Sequence, residues 1–374
     1  VTVQDVVASY EQARQNVYYK GRFTHIARVE LSSDGGVDFF LDTPYQNLAL
    51  LLDIPIVKAS EVTVDNPLGT GPYSLEDGIG GKHLQRVVGW WCSSDDLVAK
   101  DSSIALVEAE SPSQIRDEFE FSGLSVVCTN PQTDSYADYR CDFELWEVDS
   151  GFMMYIGCNV TYSKFFDDGT LRTFLTYGID RQTLVDDNYG GLALPTTLPI
   201  SPMSPYYSKS LATNYDYDEM RFIDAASKFR VPTNDKGVPR TLQLLVNSDD
   251  SARLRCARNI AATLTELGLA CETVESPTSV YEARLQAANY DIYLGITKLP
   301  TTADLSEFYR PWGEMSWGGL ANETIYNMVN QSLADRGNYY NLHKLVADDG
   351  RIIPVMAGYY AIYAKRGVLS DLRS

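Results

Sequence analysis

A strand, a helix and a second strand follow one another directly between residues 241 and 274, and this succession constrains the fold more than any other feature of the sequence. Thr241–Val246 is apolar enough for a buried strand, and Asn247–Asp250 supplies residues that favour the start of a helix. The helix carries apolar residues at helical spacing, namely Leu254, Ala257, Ala261 and Leu264. Gly268 ends it, and Ala270–Val274 forms the next strand. Strands joined in this way pair in parallel through a right-handed crossover, so we predict a doubly wound α/β region that binds ligands at the carboxyl ends of its strands.

The rest of the chain also alternates helices and strands. Val280–Ala288 and Tyr290–Gly295 continue the pattern as a helix and a strand. Near the start of the chain, Thr2 and Asp5 are placed to cap a first helix, and Ser32–Gly36 forms a turn between two strands. We predict further strands at His25–Leu31, Val37–Leu41, Leu84–Val88, Ile104–Glu108, Leu124–Val127 and Phe152–Cys158. The whole chain is therefore expected to be α/β.

A single long helix is predicted between Asp168 and Tyr189. Its apolar face consists of Leu171, Phe174, Leu175 and Ile179. Gly190 and Gly191 end this helix, because glycine readily adopts the left-handed conformation that closes a helix. A proline-rich connector follows at Pro195–Pro205.

The charge of the chain excludes several classes of partner. Its 374 residues include 50 Asp and Glu against 31 Lys and Arg, a formal net charge of −19. Such a balance repels nucleic-acid phosphates and anionic lipid, so we expect neither as a partner. No apolar run approaches the roughly 20 residues that a membrane-spanning helix needs. The length and the 44% hydrophobic content suit a globular chain of two domains.

Residues able to carry chemistry are sparse and scattered. The three histidines, His25, His83 and His343, lie far apart, and none of the six cysteines belongs to a C-x-x-C pair. This distribution argues against a metal site and against a histidine-based catalytic triad. Cys128 and Cys141 flank a polar loop and suggest a disulfide that closes it. We therefore predict no catalytic residue, no metal and no cofactor.

Several short motifs, in order along the chain, resemble the family 5 extracellular solute-binding proteins, which serve oligopeptide, dipeptide and nickel ABC importers. They are Val1–Tyr10, similar to (L/V)TAxDVxxSxxR; Asn66–Tyr73, similar to PxGTGPY; Trp90–Trp91, in the place of Tyr-Trp; Tyr155–Asn159, in the place of the strand that ends in Asn at the hinge; Leu171–Arg181, similar to VRxALxxAIDR; Gly191–Pro202, similar to GxAxPxxxPxxP; Tyr215–Asp218, similar to YxYDPxxA; and Ile353–Val355, similar to IPLY. Each motif is weak alone, but their shared order over nearly the whole chain is specific.

The resemblance implies a type II periplasmic-binding-protein-like α/β fold with two lobes around a hinged cleft. The first lobe would comprise residues 1–158 and 351–374, and the second residues 159–350. The chain would be a monomer that captures a peptide or similar small solute by hinge closure and passes it to the permease of an ABC importer. It would work on the extracellular face of the membrane or in the periplasm. Because Val1 aligns well inside the usual family chain, we expect a lipid anchor and the first strands of the first lobe to lie outside the printed residues.

The resemblance and the alternation of side chains along strands together suggest which residues contact the ligand. On the hinge strand these are Tyr155, Gly157 and Asn159, and on the facing strand they are Tyr293, Gly295, Thr297 and Lys298. The two glycines would let a ligand approach the backbone. The family's peptide binders carry GWxxDYxDP where this chain has Leu294–Asp304, so the acid that meets a peptide amine is out of register. Lys298 lies in that stretch and favours an acidic or carboxylate-bearing ligand.

Two other functions are compatible with the same fold. A binding-protein-fold enzyme would need a nucleophile and a base in the cleft, and Cys158 is the candidate nucleophile, although no histidine is near it in sequence. A ligand-sensing module would instead be fused to a regulatory domain, such as a DNA-binding domain or a kinase.

Overall fold

The computed structural model describes residues 1–16, 18–65, 67–78, 81–92, 100–109, 111–121, 123–130 and 139–369. These residues form two compact units, residues 1–124 and residues 125–374. The division at 158 and 351 into two hinged lobes stays a prediction.

In its described residues, the first unit has two small antiparallel sheets and two α-helices. Its elements are α1 (Val3–Gln15), β1 (Ile26–Leu31), β2 (Val37–Leu41), β3 (Tyr73–Gly78), β4 (Gly81–Arg86), β5 (Ser103–Ala105) and α2 (Pro112–Phe121). β1 pairs with β2, and β3, β4 and β5 form the second sheet in that order. The predicted capping box is confirmed, because Thr2 accepts from the Asp5 backbone while the Asp5 carboxylate accepts from the Thr2 backbone.

The second unit is built on one mixed sheet. Its strands are β6 (Val126–Thr129), β7 (Phe143–Cys158), β8 (Leu194–Pro195), β9 (Leu242–Asn247), β10 (Cys271–Ser276), β11 (Ile292–Lys298) and β12 (Ile352–Lys365). The order across the sheet is β10-β9-β11-β7-β12-β6, and β8 pairs with β12. β9 pairs in parallel with both β10 and β11, which confirms the parallel pairing predicted for the strand–helix–strand unit, whereas β7 is antiparallel to β11 and β12.

Helices cover this sheet. They are α3 (Thr170–Phe174), α4 (Arg181–Tyr189), α5 (Lys209–Ala212), α6 (Glu219–Lys228), α7 (Ser251–Glu266), α8 (Thr278–Gln286), α9 (Ser306–Tyr309), α10 (Glu323–Ala334) and α11 (Tyr339–Asp349). One apolar core contains Ile156 and Leu294 from the sheet, Ile260 and Leu264 from α7, and Phe222 from α6. Of the periodic residues that predict α7 from sequence, Ala257, Ala261 and Leu264 are buried, and Leu254 is partly buried against the same core.

The prediction of a single long helix from Asp168 to Tyr189 is wrong. The chain forms α3 and then a 3-10 turn that ends at Gly178, and α4 starts afresh with Asp180 as its N-cap. The break brings Gly178 so close to Phe222 that a Cβ there would lie 2.6 Å from the ring. Arg181 is buried at the break and donates to the carbonyls of Thr176, Ile179 and Pro354. Tertiary contacts therefore replace the helical hydrogen bonds that the sequence pattern implied.

Two smaller expectations also need correction. β7 begins at Phe143, nine residues before the predicted start, because it pairs with β12 along nearly its whole length. Cys128 and Cys141 are both free thiols, so the suggested disulfide is not formed. Residues 131–138 of the loop between them lie outside the described residues.

Candidate functional site

Two tyrosines and two glycines interlock where β7 and β11 pair at the centre of the sheet. Gly157 lies opposite Tyr293, and Tyr155 lies opposite Gly295. A Cβ on Gly157 would lie 2.2 Å from the Tyr293 ring, and one on Gly295 would lie 2.7 Å from the Tyr155 ring. Each tyrosine ring therefore occupies the space that the opposite glycine leaves open.

The two tyrosines are enclosed by other aromatic side chains. Each is only 1% exposed, and their hydroxyl oxygens are 3.2 Å apart. The Tyr155 ring also meets Phe308 edge-to-face, with ring centroids 5.1 Å apart. Burial raises the pKa of both phenols above the usual value, so both stay protonated at neutral pH. The pair is therefore a neutral, packed layer on one face of the sheet.

Asn159 is fully buried just beyond the end of β7 and uses its side-chain amide on the backbone. Its Nδ2 donates to the carbonyls of Ala288 and Tyr290, both at 2.8 Å, and its Oδ1 accepts from the Tyr162 backbone. These bonds attach the exit of β7 to the turn that precedes β11. Asn159 thus orders the local backbone in this structure.

Thr297 and Lys298 lie at the other end of β11 and are reached by solvent. Thr297 is partly exposed, and Lys298 is exposed. The Lys298 Nζ is 5.9 Å from the centroid of the Phe152 ring, the residue opposite it in the register. This end of the strand is its carboxyl end, where α/β sheets place their ligand sites.

The structure brings some of the predicted residues together and separates others. Tyr155, Gly157, Tyr293 and Gly295 are in direct contact, whereas Asn159 and Lys298 lie at opposite ends of the β7–β11 pair. The pairing runs from Cys158–Ile292 to Phe152–Lys298, a strand length of about 20 Å. The prediction that all seven residues line one cleft stays a prediction.

A polar cavity of about 580 Å³ lies elsewhere in the second unit, and sequence reasoning missed it as a cavity. It is lined by Tyr177, Thr213, Asn214, Tyr215, Asp216, Tyr217, Asp218, Arg221, Lys344 and Asp348. Tyr215 donates to Asp348 at 2.6 Å, Lys344 pairs with the same carboxylate, and the Arg221 guanidinium stacks on Tyr177 at 3.7 Å. The sequence feature that could have indicated this cavity is the alternation of Tyr and Asp over Tyr215–Asp218. The charged groups of Asp348, Lys344 and Arg221 are therefore already engaged by neighbouring side chains of the cavity.

The candidate nucleophile and the buried histidine are both poorly suited to chemistry. Cys158 is fully buried, bonds to the Gly350 carbonyl, and has its pKa raised by desolvation, so the thiolate is disfavoured. Burial lowers the pKa of His343 to about 4, and its ring nitrogens have no partner among the described residues. Across the described ranges, no group of three or more acidic, histidine or cysteine side chains is placed to hold a metal ion.

Residues 1–319 match the model of the bacterial extracellular solute-binding proteins, family 5 Middle. The chain belongs to this family. The resemblance carried by the ordered motifs is thereby confirmed for most of the chain.

Solved structures of similar fold agree with the family assignment. MppA, a periplasmic murein tripeptide binding protein in its unliganded open form, superposes with a TM-score of 0.78 at 14% identity, covering 98% of this chain and 78% of MppA. NikA from Brucella suis, in complex with Fe(III)-EDTA, gives 0.75 at 17% identity, covering 100% of this chain and 82% of NikA. The type II periplasmic-binding-protein-like α/β fold expected of family 5 is therefore confirmed.

One curated family relative is similar in sequence over part of the chain. The glutathione-binding protein GsiB of Salmonella typhimurium is 24% identical over 213 residues, which is 52% of this chain and 40% of GsiB. This chain thus matches less than half of that relative's length. In the residues that the structure describes, no helix is long and apolar enough to cross a membrane.

Proposed function

We propose that this chain captures a small peptide-type solute outside the cytoplasmic membrane and presents it to the permease of an ABC importer, without chemical change to the solute. The observation that carries the proposal is the family 5 match over residues 1–319. The fold similarity to a murein tripeptide binding protein supports a peptide-like solute. The named ligand of GsiB, glutathione, is itself a tripeptide.

The exposed end of β11 is the part of the proposed site that meets the ligand. Thr297 and Lys298 are accessible there, and the Lys298 ammonium would pair with a ligand carboxylate. The buried layer of Tyr155, Gly157, Tyr293 and Gly295, with Asn159 beyond it, would hold the two strands rigidly beneath the ligand. A rigid support of this kind lowers the entropy lost on binding.

Closure of two lobes would complete the site. The proposed lobes are residues 1–158 with 351–374, and residues 159–350, with hinges near Asn159 and Ile353. A ligand that contacts both lobes only when they are closed shifts the population towards the closed state. The permease would then distinguish loaded from empty protein by shape.

Catalysis is not part of the proposal. Cys158 lies in the core with a carbonyl as its hydrogen-bond acceptor, and desolvation opposes its ionisation. A binding-protein-fold enzyme would need that thiol accessible and a base beside it.

Calorimetric titration tests the proposal. The probes are glutathione and Glu-containing dipeptides, each compared with its carboxyl-amidated form. We expect wild type to bind at least one free acid more tightly than the amide. Lys298→Ala should lose about 2–5 kcal/mol of binding free energy, because lobe closure would exclude water from the charge pair and the variant removes one of its partners.

Lys236→Ala is the matched control, since Lys236 is exposed on a turn far along the chain from β11. Its affinity should equal that of wild type. Equal affinity of Lys298→Ala and wild type would reject Lys298 as the carboxylate partner. Absence of any binding across the peptide panel would reject the peptide-type solute.

A further inference from the structure

Trp312 is displayed to solvent in an unfavourable backbone conformation. Its side chain is 95% exposed, and its φ is +61°. The Gly313 backbone donates to the Arg310 carbonyl, and Pro311 precedes Trp312, so these four residues have the pattern of a type II turn. The third residue of such a turn is normally glycine, because a side chain there is strained. Tryptophan occupies a place that glycine would fill without strain.

The loop around Trp312 is held rigidly. Both carboxylate oxygens of Glu307 accept from the Arg310 guanidinium at 2.9 to 3.1 Å. Glu307 also accepts from the backbone of Glu314 at 2.9 Å, and its own carbonyl accepts from Met315. A Cβ at Gly313 would lie 2.2 Å from the Glu307 carbonyl oxygen, so the turn is packed closely on α9. The backbone that carries the tryptophan is therefore preorganised.

The Trp312 side chain itself makes no contact that offsets the strain. In the part of the chain that the structure describes, the Trp312 ring takes part in no hydrogen bond, ring pair or cation–π contact. Trp91, which is 75% exposed, differs because its Nε1 donates to the Thr70 carbonyl and its ring packs on Trp90. An exposed side chain on a strained backbone, in a loop held by hydrogen bonds, indicates that the residue contacts another molecule.

The exposure also identifies the kind of partner. Sites for small molecules are concave, and a side chain that is 95% exposed projects from the surface instead. Projecting tryptophans are typical anchors of protein interfaces, where they fill a pocket on the partner. The segment holds Glu307 and Glu314 against one Arg310, and the chain carries a net charge of −19, so a basic rim around that pocket would be complementary.

We propose that Trp312 is an anchor by which this protein docks on the permease of its importer, in an apolar pocket with a basic rim. This inference rests on the proposed function, which supplies the permease as the obligatory protein partner. Because the anchor is preorganised, its removal should weaken docking and leave solute binding unchanged.

The test uses the ABC importer that the proposed function assigns to this chain, reconstituted in lipid nanodiscs, and empty nanodiscs of the same lipid. Wild type should bind the importer discs and not the empty ones. Trp312→Gly should bind at least 10-fold more weakly, Trp312→Phe should retain most of the affinity, and Met220→Ala should match wild type. Met220 is an equally suitable exposed apolar residue, at 75% exposure, on α6. The melting temperature of Trp312→Gly should rise by roughly 1 °C, because the strain that glycine relieves exceeds the entropy that it adds to the unfolded chain.

Four results would overturn the docking role. Two concern the discs: equal binding of Trp312→Gly and wild type to importer discs, or Trp312-dependent binding to empty discs. The other two are a fall in the glutathione affinity of Trp312→Gly that parallels its loss of docking, measured by calorimetry, and a melting temperature of Trp312→Gly below that of wild type. Failure of wild type to bind both glutathione and importer discs would instead reject the proposed function, together with the inference built on it.

Discussion

The ring of Tyr293 lies directly over Gly157, on the strand beside it, in the space where any other residue would place its Cβ. A Cβ there would be 2.2 Å from the ring, and the reciprocal pair, Tyr155 over Gly295, leaves 2.7 Å. Both tyrosines are buried, so neither ring has solvent to move into. The glycines therefore serve the packing of the strands in this structure.

Gly157→Ala should destabilise the protein. We expect a loss of about 1–3 kcal/mol of unfolding free energy, because the added methyl group must displace a ring in a fully packed layer. Urea denaturation followed by tyrosine fluorescence measures it. Gly71→Ala is the control, since no atom lies within 4 Å of a Cβ there. Equal stability of the two variants would show that the Tyr293 ring yields freely.

Asn159→Ala should also be costly, for a different reason. It removes the donor from the buried Tyr290 carbonyl and from the part-buried Ala288 carbonyl. An unsatisfied buried group costs about 1–3 kcal/mol and a part-buried one less, so we expect a total loss of about 1–4 kcal/mol. Thermal and chemical unfolding measure the loss. Asn188→Ala removes a single side-chain bond to a helix carbonyl and should cost less. A smaller effect at Asn159 than at Asn188 would contradict this role.

His343 should make stability depend on pH. Its pKa is lowered by burial from 6.5 to about 4, so the unfolded state binds more protons than the folded state between these values. The contribution of His343 to the unfolding free energy is therefore fully present above about pH 6.5 and is lost as the pH drops towards 4. The pKa difference corresponds to a loss of about 3 kcal/mol.

Comparison of variants isolates this contribution from that of the carboxylates. His343→Leu should show a shallower decline of unfolding free energy between pH 6.5 and 4 than wild type. His83→Ala, which changes a partly exposed histidine, should keep the wild-type slope. Parallel slopes for wild type and His343→Leu would mean that the imidazole remains protonatable in the folded state.

Local and periodic features were predictable from the sequence alone. The cap at Thr2 and Asp5 needs only neighbouring residues, and it forms as expected. The strand–helix–strand unit from β9 to β10 follows from apolar periodicity and end signals, and its parallel pairing follows from chain geometry. The ordered motifs likewise sufficed for the family, which the match over residues 1–319 bears out.

The tertiary structure decided what depends on residues far apart in sequence. The helix expected from Asp168 is broken because Gly178 packs on Phe222 and Arg181 reaches the Pro354 carbonyl, contacts that span 44 and 173 residues. No local pattern contains such contacts. The strand register likewise set Tyr293 over Gly157, which alternation alone could assign to a face but not to a partner.

In the candidate site, too, the sequence alone predicts some features and the tertiary structure determines others. From the sequence, Tyr155 and Tyr293 could equally be ligand-facing or core residues, because alternation does not say what covers a face. In the structure the two tyrosine rings are buried against each other, Tyr155 also packs on Phe308, and Lys298 is exposed at the strand end. Contact of these residues with a ligand stays a prediction. The strain at Trp312 could not be predicted from the sequence either. Its positive φ is imposed by the turn and the contacts of the turn with Glu307, and not by the identity of the residue that adopts it.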